Sequence, residues 1–152
     1  MGRRTKCIVF DLDHTLWLPS KRIAFDLQRA ATLKKHLYDL KRKYELFLAV
    51  ASFNLQAKEV TEQLFSTGLF DIVTCCSPDI RFDKSSLLQR VRKAYAVTHP
   101  SQKLKWDEMA FYDDMDEVLE RLQQTLPKVT LIPVNGKVGL TIMALERLSE
   151  CS

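Results

Sequence analysis

The chain has 152 residues, 46% of them hydrophobic and 28% charged, with a net charge of +4. That size and balance fit one soluble domain over residues 1–152 with a single core, and the sequence shows no low-complexity segment and no internal repeat. The apolar stretches are strand-sized, well short of the roughly 20 residues of a membrane span, so no membrane partner is expected.

In chain order, Arg3, Arg4 and Lys6 precede only four apolar residues, too few for a signal peptide. Residues 6–10 read as a buried strand. Asp26 is placed to cap a helix running to Tyr44, because Leu33, Leu37, Leu40 and Tyr44 recur at helical spacing. Residues 45–51 form a second apolar strand that ends at Ser52. Asn54 then caps a helix with Ala57, Val60 and Leu64 inward, and Gly68 stops it. Asp71 to Cys76 is a third strand, followed by a polar loop from Ser77 to Asp83. Leu87, Leu88, Val91 and Tyr95 mark the next helix, broken by His99-Pro100-Ser101. Met109 to Tyr112 is a fourth strand and stops at Asp113-Asp114. A helix carries Val118, Leu119 and Leu122, Val129 to Val134 is a fifth strand, Asn135-Gly136 turns the chain, and Leu140 to Leu148 is the last helix.

Five alternations of strand and helix predict an α/β, Rossmann-like three-layer sandwich. Its five-stranded sheet is mainly parallel and its crossovers are right-handed. Ligands of such sheets sit beyond the carboxyl ends of the strands, and four strands end there on polar residues: Asp11, Ser52, Ser77 and Asp113. Strand order does not follow from periodicity. The four cysteines, Cys7, Cys75, Cys76 and Cys151, lack zinc-ligand spacing, and the adjacent pair is a poor disulfide former; reduced thiols and an intracellular, cytoplasmic location are expected. Basic residues cluster at Arg3-Arg4-Lys6, Lys34-Lys35, Lys41-Arg42-Lys43, Arg90-Arg92-Lys93 and Lys103-Lys105. They read as solvated helix faces, with an electrostatic aid for an anionic substrate as the sharper alternative. Charge alone leaves nucleic acid open as a partner, but no aromatic–basic interleaving supports it.

The most informative feature is Asp11-Leu12-Asp13-His14-Thr15 directly after Cys7-Ile8-Val9-Phe10. Residues two apart on a strand point to the same side. Carboxylates at the end of a buried strand need a metal, a hydrogen-bond network or a partner charge. That suggests a divalent-metal site for phosphoryl chemistry.

Three further motifs follow in order: Ser52 after Leu48-Ala49-Val50-Ala51, Lys84 at the start of the helix after the third strand, and Asp113-Asp114 ending the fourth. Together they resemble the haloacid dehalogenase-like (HAD-like) phosphatase superfamily over most of the chain. Phe10-Asp11-Leu12-Asp13-His14-Thr15-Leu16-Trp17, Phe111-Tyr112-Asp113-Asp114 and Asn135-Gly136 with Leu140-Thr141 are most similar to its small magnesium-dependent acid phosphatases, the magnesium-dependent phosphatase 1 family. Two departures lie near the substrate mouth. Only Leu18 to Phe25 stands where that group carries a hairpin-like insert, and Phe53-Asn54 follows Ser52 where a basic residue is common.

The resemblance implies a magnesium-dependent phosphomonoesterase. Asp11 would be the nucleophile that forms an aspartyl-phosphate, and Asp13 the general acid and then base. Magnesium would join Asp11, the Asp13 backbone carbonyl, Asp113 or Asp114, phosphate oxygen and water, with Asp114 the first choice as direct ligand. Ser52 with the N–H groups of Phe53 and Asn54 would hold the phosphoryl oxygens, and Lys84 would neutralise developing charge. Thr15 would position the motif turn through a hydrogen bond. Trp17 fits the substrate mouth and the core about equally, and Asp79 and Arg81 could line the mouth. The short gaps between motifs leave no room for a cap domain, so the site is expected to be open. An open site suits a phosphoprotein, a phosphorylated polymer end or another bulky phosphoester, acted on by a monomer. The alternatives are a polynucleotide-end or sugar-phosphate phosphatase, and a non-catalytic phosphate- or metal-binding module. A receiver-like domain is disfavoured because the second strand ends in Ser52 and the third in Cys75-Cys76, where its phosphorylated aspartate would be expected.

Overall fold

The computed structural model describes residues 5–19, 23–76 and 83–151, and for residues 23–25 and 147–151 the description covers the backbone alone. Strands β1 (Cys7–Phe10), β2 (Phe47–Ser52), β3 (Ile72–Cys75), β4 (Met109–Asp113) and β5 (Thr130–Pro133) alternate with helices α1 (Ile23–Tyr44), α2 (Ala57–Phe65), α3 (Lys84–Thr98), α4 (Asp116–Thr125) and α5 (Ile142–Cys151). A short 3-10 turn, Trp106–Glu108, leads into β4. All neighbouring strands pair in parallel in the order β3-β2-β1-β4-β5. The expected α/β sandwich is therefore present, with β1 at its centre. No helix among the described residues is long and apolar enough to cross a membrane.

The strands alternate their side chains between two apolar layers. Ile8, Phe10, Leu48 and Val50 pack with Leu33, Leu37, Ala57, Phe65 and Leu145, which come from α1, α2 and α5. Cys7, Val9, Ala49, Ala51 and Phe111 pack with Leu87, Leu88, Val91 and Leu122, from α3 and α4. A sheet covered on both faces requires near-continuous apolar strands, which is the composition of β1 and β2. Phe10 stacks on Tyr112 of the next strand at 5.2 Å between ring centroids. The Tyr112 hydroxyl reaches the Ala144 carbonyl of α5 at 3.0 Å, tying the sheet to its outer layer.

Two helix starts differ from the sequence reading for one reason: a short polar side chain can satisfy a loop N–H instead of its own helix. Asp26 lies inside the first turn of α1, and its Oδ1 accepts from the N–H of Leu18 at 2.9 Å. Asn54 is not the cap of α2, whose cap position is Gln56. Asn54 instead accepts the Gln56 N–H through its side-chain oxygen at 2.8 Å, forming the turn before the helix. Ser77, Asp79 and Arg81, read as loop residues, lie outside the described residues.

Candidate active site

Because β1 is flanked on both sides, its carboxyl end opens into the middle of the sheet edge. Asp11 continues the β1–β4 ladder, with its N–H on the Tyr112 carbonyl at 2.9 Å, and its side chain is buried at that edge. The chain then folds back tightly. The Leu12 carbonyl receives the N–H groups of Thr15, Leu16 and Trp17 at 3.2, 2.9 and 3.2 Å, and His14 takes a positive φ of 62°. Arg29 of α1 braces this loop from below. Its guanidinium donates to the carbonyls of Leu16 (2.8 Å), Thr15 (3.0 Å) and Leu140 (2.9 Å). Thr15 positions the turn through its backbone: its carbonyl also accepts from Leu140 N–H at 2.7 Å, while its buried hydroxyl has no hydrogen-bond partner among the described residues.

Lys84, the first residue of α3, is 4% exposed, unlike an ordinary helix-start lysine. Its ammonium lies 2.7 Å from Asp11 Oδ1, 2.7 Å from the Ala51 carbonyl and 3.3 Å from Asp113 Oδ2. The rings of Phe53 and Phe111 face it at 4.8 and 5.2 Å. A buried ammonium needs such partners to offset lost hydration, and here carboxylates, a carbonyl and two aromatic faces supply them. Asp83 makes the helix start there, since its side chain accepts from the Ser85 N–H and from the hydroxyls of Ser85 and Ser86.

Asp113 and Asp114 complete the group. Asp113 Oδ1 accepts the Met115 N–H at 2.9 Å, which fixes the start of α4, whereas its buried Oδ2 faces the Lys84 ammonium at 3.3 Å. Asp114 is less buried and leans over Gly136, where an added Cβ would stand 2.9 Å from Asp114 Oδ2. Gly136, read from sequence as a turn residue, therefore also gives Asp114 its room. One oxygen from each of Asp11, Asp113 and Asp114 falls within a 4.8 Å span. With all three ionised, three carboxylates against one ammonium leave an excess of two negative charges. The donors are all carboxylate oxygen, the chemistry that suits a hard divalent cation. Burial pushes the Asp11 carboxyl up to about 7, Lys84 pulling it back and Asp113 adding to the rise. Burial raises Asp113 in the same way against the pull of Lys84.

On the other side of Asp11, Ser52 is buried and its hydroxyl accepts the Asn54 N–H at 3.0 Å. That N–H is thus used within the loop. The Asn54 side chain instead donates to Asp13 Oδ1 at 3.2 Å, and the Trp17 indole donates to the same oxygen at 2.7 Å. Residue pattern alone gave no sign of this clamp; a signal lies in the return of residue 17 to residue 13 through the left-handed His14. Beside Lys84 a cleft of about 220 Å³ opens between the first turns of α3 and α4, with Phe53, Ser85, Met115, Val118 and Arg121 among its walls. The structure thus gathers Asp11, Asp13, Ser52, Phe53, Asn54, Lys84, Asp113 and Asp114 around one strand edge.

No family model matches the chain, and no curated protein sequence matches it. Its fold is similar to a solved structure of the N-terminal part of a Bacteroides fragilis protein, which contains a phosphatase domain and is complexed with Mg. The two superpose with a TM-score of 0.69 over 97% of this chain, at 16% identity. The match spans 40% of that longer chain. At this identity the likeness shows a common fold.

Proposed function

We propose that the chain is a magnesium-dependent phosphomonoesterase of the HAD-like kind, most similar to the magnesium-dependent phosphatase 1 family, acting through an aspartyl-phosphate. The observation that carries this reading is the buried Lys84 ammonium set among Asp11, Asp113 and the Ala51 carbonyl, with Asp114 completing a carboxylate trio. An arrangement of this kind is costly for stability alone and useful where a phosphoryl group and a cation meet. The Mg held by the structural neighbour and the order of the sequence motifs support it further.

Asp11, the backbone carbonyl of Asp13 and Asp114 would hold the ion, with Asp113 behind them anchored to Met115. When bound, magnesium neutralises charge so that a phosphate dianion can approach a carboxylate. An Asp11 oxygen forms the bond to phosphorus as the bond to the leaving oxygen breaks, and Asp13 gives that oxygen its proton. Water then attacks the same phosphorus, returning its proton to Asp13 and freeing Asp11 and inorganic phosphate. Lys84, the Ser52 hydroxyl and the Phe53 N–H balance charge on the phosphoryl oxygens. An open mouth favours a bulky phosphoester such as a phosphoprotein.

The test is hydrolysis of 4-nitrophenyl phosphate with magnesium, with chelator, and in Asp11→Asn. Turnover that needs magnesium and falls on the order of 10⁴-fold or more in Asp11→Asn is the expected result. Undiminished turnover in Asp11→Asn would overturn the nucleophile assignment.

A further inference from the structure

We infer that Trp17 and Asn54 are positioning residues that hold one oxygen of Asp13 and so present the other, Oδ2, to the leaving group. The inference rests on the phosphatase reading above and goes beyond it by naming what aims the acid.

The geometry is specific. Trp17 Nε1–H donates to Asp13 Oδ1 at 2.7 Å. Asn54 Nδ2 donates to the same oxygen at 3.2 Å. The Asn54 amide cannot be turned over without loss, because its own oxygen accepts the Gln56 N–H at 2.8 Å. Its nitrogen is therefore the end that faces Asp13. An indole N–H is a donor and nothing else, so the second contact is equally fixed in direction. Two donors converge on Oδ1, and among the described residues none reaches Oδ2. A proton on Oδ1 would point at two N–H groups, so a carboxyl held this way offers its proton from Oδ2.

Both donors are themselves anchored. The Trp17 ring packs against the core cluster on the α1 side, and its carbonyl accepts the His14 N–H at 2.8 Å. The Asn54 N–H is tied to Ser52 Oγ at 3.0 Å. The acid is thus suspended between the loop after β1 and the loop after β2. Proton transfer is sensitive to such placement, since a displacement of about 1 Å can cost on the order of 100-fold.

The test exploits leaving-group chemistry. An alkyl phosphate needs a proton on its departing oxygen, whereas 4-nitrophenolate departs readily without one. Trp17→Phe keeps an aromatic ring in the core and deletes the N–H. Asn54→Ser keeps a side-chain acceptor for the Gln56 N–H and is too short to reach Asp13. In both variants kcat/KM for phenylethyl phosphate should fall at least about tenfold more than kcat/KM for 4-nitrophenyl phosphate, in the direction of Asp13→Asn, where general-acid loss is roughly 10²–10⁴-fold. Thermal melts accompany each variant. Equal losses of kcat/KM on both esters in Trp17→Phe and Asn54→Ser, while Asp13→Asn discriminates between them, would overturn the positioning role and leave the phosphatase reading intact. Wild-type protein without magnesium-dependent turnover of either ester, or with turnover undiminished in Asp11→Asn, would remove the phosphatase reading and this inference with it.

Discussion

Two ion pairs stand at opposite ends of the central sheet. At the carboxyl end Lys84 meets Asp11 at 2.7 Å with side chains 3% and 10% exposed. At the amino end Lys6 of the segment before β1 meets Glu108 at 2.9 Å with side chains 42% and 15% exposed. Their lengths are nearly the same and their settings are not. The exposed pair exchanges water for a partner at little gain, and its worth is that of a surface bridge. The buried group has given up most of its water and holds more carboxylate than ammonium, so it is balanced only when a proton or another cation joins it. One sheet thus carries an indifferent ion pair at one end and an electrostatically incomplete one at the other.

The largest expected effect breaks the buried pair. Lys84→Met should cost about 3 kcal/mol or more in urea unfolding with chelator present, because Asp11 and Asp113 lose their shared cation. Next, magnesium at about a hundredfold over its Kd should stabilise the wild-type protein by about 2.7 kcal/mol, a rise of roughly 5–10 °C in Tm. Calorimetry with and without chelator checks this, and an unchanged Tm would mean that the carboxylate trio holds no magnesium. A smaller effect concerns the device that places Lys84. Asp83→Ala should cost about 1 kcal/mol, the usual worth of a helix cap. The Ser85 hydroxyl, with help from Ser86 and two backbone N–H groups, holds the Asp83 carboxyl below its ordinary value. On acidification the unfolded chain therefore takes up that proton first. The cap contribution is complete above the unfolded value of about 4 and is lost as pH falls through the lower folded one. The difference in stability between wild type and Asp83→Ala, followed by denaturant titration from pH 7 downward, should shrink only in that acid range. The smallest effect is at the other end of the sheet: Lys6→Ala should change stability by less than about 1 kcal/mol, and less still at high salt.

Much of this was legible in the residues. Alternating apolar strands and amphipathic helices gave the α/β architecture, because burial on both faces leaves a strong pattern in β1 and β2. The neighbour order β3-β2-β1-β4-β5 was not legible, since periodicity reports which face is buried and not which strand lies alongside. Asp11, Lys84, Asp113 and Asp114 were readable as polar residues at element ends. The depth of Lys84 was not, since a lysine at a helix start has the same letter whether solvated or buried. The Asn54 and Trp17 contacts to Asp13 were hidden for a different reason. They depend on a left-handed residue, His14, and on an amide that turns away from its expected helix, neither of which follows from hydrophobic spacing.

Arg29 has a consequence for the order in which this protein matures. Its guanidinium joins the carbonyls of Thr15 and Leu16 to that of Leu140, a partner 111 residues further along. It also lies directly over Gly139, where the φ of 79° and the missing Cβ make space for it. During synthesis β1, α1 and β2 leave the ribosome early, but the brace beneath the Asp11 loop can close only once residues 139 and 140 have emerged. A nascent chain would therefore carry its acidic loop unfastened until more than a hundred residues beyond Arg29 have been added, and the geometry of the sheet edge waits on that late contact.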